Sequence, residues 1–129
     1  MNIQVTEHFA LNKLICQKTG EIFIDDLFWA HMELLEELRC ELNRPLIVNS
    51  GHRSVGHNKK VGGAARSMHL RFATDLSPRG PGKLITRLDR LYEAAKDLGF
   101  GGIGRYNSFV HLDRRDFIGR KPWDGDKRS

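Results

Sequence analysis

At 129 residues with 40% hydrophobic content, the chain has the length of one compact domain that can bury a core without covalent staples. A formal charge of +5 and a pI near 9.5 favour an anionic partner, which leaves nucleic acid, acidic lipid and carboxylate-rich polymers all open. No apolar run is long enough to span a bilayer, and residues 1–11 carry no basic segment leading into an apolar stretch. The expectation is a soluble product made in the cytoplasm, without a signal peptide or stable membrane association.

In chain order, His8 comes first and has no partner in view, while Cys16 and Cys40 have neither the spacing nor the density of a disulfide framework. They read as ordinary thiols, with a single disulfide as the alternative. From Leu27, one helix face recurs at His31, Leu34, Leu38 and Leu42, at spacings of four, three, four and four. Asp25 or Asp26 is placed to cap that helix and Pro45 to bar its continuation. His31, on the apolar stripe, is expected to be a packed core residue. Short β-type runs follow at residues 46–49, 72–76, 102–104 and 109–113, separated by Gly-rich turns. A second helix is predicted from about Pro81, with Leu84, Leu88, Leu91, Ala95 and Leu98 on its buried stripe and Gly99 ending it. Residues 121–129 are polar enough to fray. Residues 1–129 thus read as a single α+β domain with a small, mostly antiparallel sheet and flanking helices.

If Phe109-Val110-His111-Leu112-Asp113 is a strand, Val110 and Leu112 face the core while His111 and Asp113 share the other face. The earlier run from Ser67 through Asp75 offers a second histidine, His69, and places the small Ala73 on the same strand face as Asp75, leaving room for a metal. Two neutral imidazoles and a carboxylate suit zinc, whose catalytic sites take three protein ligands and leave the fourth position to water. His69, Asp75 and His111 supply that count, provided the distant segments meet. The run Gly101-Gly102-Ile103-Gly104 is not a nucleotide-binding loop, because it follows a helix and leads into a strand, the reverse of the required order.

Several further motifs occur in order: Asn49-Ser50-Gly51-His52-Arg53-Ser54, His57-Asn58, Val61-Gly62-Gly63-Ala64, Ser67-x-His69, Ala73-x-Asp75, Gly101-Gly102-Ile103-Gly104-x-Tyr106 and Phe109-Val110-His111-x-Asp113. With them the chain resembles the zinc D-Ala-D-Ala carboxypeptidases and related phage murein endopeptidases, which share a fold with the hedgehog signalling domain. The resemblance runs from about Glu7 to Trp123. It implies one zinc ion on His69, Asp75 and His111, and hydrolysis of D-amino-acid-containing peptide bonds in bacterial peptidoglycan, as a carboxypeptidase or as an endopeptidase of the phage or prophage lysin type. Such a lysin is expected to be a monomer and to reach the wall after release, as a holin permits. The family pattern Ser-x-His-x-x-Gly-x-Ala-x-Asp is one residue shorter here between His69 and Asp75, and its glycine is missing. The expected consequence is a tighter turn between Arg71 and Phe72 with the strand register kept.

A zinc peptidase also needs a group to take a proton from water and pass it to the leaving amine. Many relatives carry an acid shortly before the last histidine, but residues 106–110 contain none, so Asp113 is the candidate; orienting a ligand imidazole is its other possible role. Arg53 resembles the family arginine that reaches into the cleft, to bind a substrate carboxylate or stabilise an oxyanion. Ser50, His52 and Tyr106 are further substrate-binding candidates, Ser50 as support for the loop, His52 where relatives often have tyrosine, Tyr106 as cleft lining. Arg114, Arg115, Arg120 and Lys121 form a basic patch suited to an anionic wall or to plain solvation. Two readings compete with the peptidase: a non-catalytic zinc-containing binding module of the same fold, and a basic nucleic-acid-binding protein built on Arg53, Lys59, Lys60 and Arg66. The peptidase reading expects no nucleic-acid partner.

Overall fold

The computed structural model describes residues 2–128. A short hairpin, β1 (Gln4–Thr6) and β2 (Phe9–Ala10), precedes the first long helix, α1 (Asp26–Leu42). That helix starts where the Asp25 carboxylate accepts the backbone N–H of Phe28 at 3.0 Å, and it ends at Asn43, held left-handed two residues before Pro45. Its buried face is rotated from the predicted stripe: Phe28, Met32 and Leu35 are fully buried, whereas Leu34 and Leu42 are only partly so. The helix fills the seam between a sheet and the second long helix and therefore needs a broader apolar face than a single stripe. His31 is a core residue, as expected, and its Nε2 lies 2.9 Å from Thr74 Oγ1. Burial lowers its pKa to about 3.

The second long helix, α3, spans Leu84–Leu98 and follows a one-and-a-half-turn helix, α2 (Val55–Lys60), capped by Ser54. It begins three residues after Pro81 because Gly82, at φ 95°, turns the chain before Lys83 can act as N-cap; Leu84 is consequently exposed rather than buried. Gly99 ends it in the left-handed conformation that the prediction required.

The main sheet has the order β3-β4-β6-β5-β7, with β3 Leu46–Ser50, β4 Ala73–Pro78, β5 Gly102–Arg105, β6 Val110–Asp113 and β7 Trp123–Asp126. Its first three pairings are antiparallel and the last, β5 with β7, is parallel. The strand β7 corrects the expectation of a frayed tail over residues 121–129, of which Ser129 lies outside the described residues. Polar side chains there leave the backbone free to pair along the open edge of β5, with the Trp123 N–H donating to the Gly101 carbonyl at 2.9 Å.

One face of the sheet packs against α1 and α3 through Leu76, Ile103, Val110 and Leu112, each side chain worth about 1.5–3 kcal/mol of burial. The pleat then leaves Ala73, Asp75, His111 and Asp113 on the other face, with Asp75 beside His111 and Ala73 beside Asp113 across the β4–β6 pair. Cys16 is a buried and Cys40 an exposed free thiol. His8 has a partner after all: its backbone N–H and its ring both meet Glu36 on α1, a contact between segments too distant in sequence to be seen from spacing.

Candidate active site and metal centre

His69 sits in a single 3-10 turn, Met68–Leu70, capped by the Ser67 hydroxyl. Across this shortened stretch Asp75 keeps its place opposite His111 in the β4–β6 register, and His69 Nε2 lies 3.1 Å from Asp75 Oδ1. From β6, His111 Nδ1 approaches the same oxygen, also at 3.1 Å. Donor atoms of the three side chains lie within 4.8 Å of one another, in a buried setting.

The outer nitrogens of both rings are already committed. His69 Nδ1 lies 2.7 Å from the Gly51 carbonyl, which can only accept, so this nitrogen carries a proton and the neutral ring presents the Nε2 lone pair inward. Gly51 makes that contact possible, since a Cβ there would fall 2.4 Å from the Leu14 carbonyl oxygen. His111 Nε2 lies 2.7 Å from the Asp113 carboxylate and donates to it, which turns the Nδ1 lone pair inward. Two lone pairs and a carboxylate oxygen thus converge, an arrangement that needs a proton or a cation between them. Without a cation the protein meets the need by protonation. Burial works against charge on His111, but hydrogen bonds to Asp113 and Asp75 raise its pKa to about 9. Burial would raise the Asp75 pKa, yet hydrogen bonds from His111 and His69 hold it well below the usual carboxylate range. The donor set fits a divalent ion with a nitrogen and oxygen preference, such as zinc.

These three residues floor a cleft of about 300 Å³, walled by Arg53, Tyr106, Phe109 and Trp123. Arg53 Nη2 lies 3.6 Å from Asp75 Oδ2, and its Nη1 donates to Asn58 Oδ1 at 3.2 Å. Asn58 in turn donates to the Ala64 carbonyl at 2.9 Å, and so clamps the arginine against the loop over the cleft. Tyr106 and Phe109 stack at 4.5 Å between ring centroids, and Trp123 meets the His111 ring edge-on at 6.1 Å. A groove of about 500 Å³ between α1 and α3 is larger, but it is lined by Glu41, Asp89, Arg90, Glu93 and Asp97 among others, with no histidine and no cysteine.

Other sequence candidates fall elsewhere. Asp113 does not line the cleft: it is fully buried behind His111, on the far side of the ring from Asp75. Its oxygens also accept from Arg115, at 2.9 Å from the backbone, 3.0 Å from Nε and 2.7 Å from Nη2, which leaves no exposed lone pair for water. His52 is not on the cleft either; it is buried, with Nδ1 3.1 Å from the Arg71 carbonyl and its ring edge-on to Phe23. Ser50 pairs with Asp75 at a β3 irregularity and does not line the cleft. The basic patch disperses, because Arg115 binds Asp113, Arg114 binds Asp116 and the Ala30 carbonyl, and Arg120 reaches the Arg66 carbonyl.

Sequence reasoning passed over Asn58 as a clamp and Trp123 as a wall. It also missed why two glycines are needed. A Cβ on Gly102 would lie 2.3 Å from the Asp113 carboxylate, and one on Gly104 would lie 2.7 Å from the Trp123 ring. The glycine run is therefore shaped by what lies over it, and no local signal distinguishes that from a turn.

A family model described as Peptidase M15 matches residues 7–113. Among curated proteins nothing matches the chain.

Proposed function

The chain belongs to the peptidase M15 family, whose members are metal-dependent peptidases, and from that premise we propose that it is a zinc enzyme cutting D-amino-acid-containing peptides of bacterial peptidoglycan. The observation that carries the metal assignment is the convergence of the His69 Nε2 and His111 Nδ1 lone pairs on Asp75 Oδ1. A zinc ion held by these residues supplies polarisation of the scissile carbonyl and acidification of a water toward neutrality. The substrate class rests on the family and on the sequence resemblance.

The chain's own residues then divide the remaining work. Gly51 and Asp113 hold the two imidazoles in the tautomers that present a lone pair inward. Arg53, clamped by Asn58, offers a guanidinium at the cleft for a substrate carboxylate or the developing oxyanion. Tyr106, Phe109 and Trp123 provide apolar walls that exclude water from the scissile bond. Asp113 thereby takes the orienting role, the second of the two that its position two residues after His111 left open.

The deciding experiment is mass spectrometry of soluble products released from cross-linked peptidoglycan by zinc-loaded protein, beside a chelator-treated sample. Chelator-sensitive release of defined peptides is expected and names the bond. Bound zinc with no release from several wall types would sink the enzyme reading and favour a non-catalytic module.

A further inference from the structure

Away from the cleft, the described residues hold a second group of metal-ligating side chains, and it mixes nitrogen, oxygen and sulfur donors. Glu36 and Cys40 stand one turn apart on α1, which puts both on one helix face. His8, in the turn between β1 and β2, closes over them. His8 Nδ1 lies 2.5 Å from Glu36 Oε2, and Cys40 Sγ lies 3.5 Å from the same oxygen. The other carboxylate oxygen, Oε1, accepts the His8 backbone N–H at 2.8 Å, so the carboxylate is oriented with one oxygen facing the imidazole and the thiol. The His8 and Glu36 side chains are 30% and 19% exposed, and Cys40 is open to solvent, so an ion can enter and a water can take a fourth position.

We propose that His8, Glu36 and Cys40 form a second, structural metal site for a zinc-like divalent cation, which pins the β1–β2 hairpin to α1. Around tetrahedral zinc, donors at bond lengths of about 2.0–2.3 Å stand about 3.3–3.7 Å apart. The Glu36–Cys40 pair already has that separation. The His8–Glu36 pair opens by about an ångström as the ion replaces the shared proton, a small rotation for partly exposed side chains. Imidazole and thiolate select against magnesium and calcium, which take oxygen ligands. Binding releases the Cys40 thiol proton to solvent, and it joins residues 28 positions apart in the chain, so metal affinity becomes folding stability for the hairpin. This inference does not rest on the reading of the cleft.

Cobalt(II) titration of the full chain, followed in the near ultraviolet, tests it, because sulfur-to-cobalt charge transfer arises only where a thiolate ligates and the cleft triad has no sulfur. The band is expected to saturate by two equivalents of cobalt per chain in the native protein, where the cleft also takes the ion, and by one in His69→Ala, independent of protein concentration. It should vanish in Cys40→Ser and His8→Ala and persist in Cys16→Ser and His69→Ala. Absence of the band at saturating cobalt, or its removal by Cys16→Ser with retention in Cys40→Ser, overturns the proposal. Cys40 is exposed, so its serine variant tests ligation without disturbing the core.

Discussion

His31, on α1, and His111, on β6, are both buried, the first packed against the core face of the sheet and the second on its opposite face, yet their pKa values move in opposite directions. His31 touches Thr74, Phe72 and Phe100, and burial carries its pKa down to about 3. His111 pays a similar burial cost, but Asp113 and Asp75 flank both its nitrogens and raise it to about 9. Adjacent positions of β4 make the difference: Thr74 points to the core and Asp75 to the cleft. One pleat thus separates a histidine built to stay neutral and pack from one held between carboxylates, and only the second is available to a cation.

The comparison breaks most completely if the polar face loses a ligand. His69→Ala or His111→Ala should each lose the cleft metal and reduce peptide release to background, read by metal analysis and product mass spectrometry on the same samples. Metal retained at the cleft in both variants would show that the convergence around Asp75 has another purpose. Next in size is Arg53→Met, expected to lower kcat/KM by about 10²–10³-fold while metal content stays unchanged. An unaltered rate would place Arg53 outside the reaction and leave it as a loop clamp.

Asp113→Asn sharpens the comparison, since it leaves His111 without the carboxylate that fixes its tautomer. Metal affinity should fall by about 10–100-fold, measured by competition with a chromogenic chelator, and activity should recover at high zinc. Intact affinity with abolished turnover would instead restore Asp113 as the proton carrier.

On the core face, the test is acid stability. His31 has a folded pKa of about 3 against an ordinary value of 6.5, so the unfolded chain takes up its proton first, and the stability present above pH 6.5 is lost as pH falls toward 3. Asp75 and Asp113, also lowered, contribute acid sensitivity with the same sign but only below their ordinary value of 3.8. Resistance to denaturation of the metal-loaded protein, in which His111 cannot titrate independently, should therefore weaken as pH falls from 6.5 to 4 in the native chain and less so in His31→Gln. Parallel profiles would show that His31 does not control that window. The smallest effect is expected of Trp123→Ala, a few-fold rise in KM at unchanged metal content, and an unchanged KM would make that wall purely structural.

By itself the sequence determined the two long helices, both ends of α1 and the C-terminal end of α3, because a 3.6-residue apolar period, Asp25, Gly99 and Pro45 act within a turn or two of where they stand. It also determined which faces of β4 and β6 are polar, since alternation is a local property of any strand. The tertiary structure alone decided the rest. It put Asp113 behind His111 because Arg115 claims its oxygens, and it removed His52 from the cleft by setting it under Phe23. It made a strand of a polar tail by offering it the unpaired edge of β5, and brought Trp123 over Gly104. It joined His8 to Glu36 across a helix and a hairpin. Each of these depends on contacts between residues far apart in the chain, and periodicity and spacing carry no information about which distant surfaces will meet.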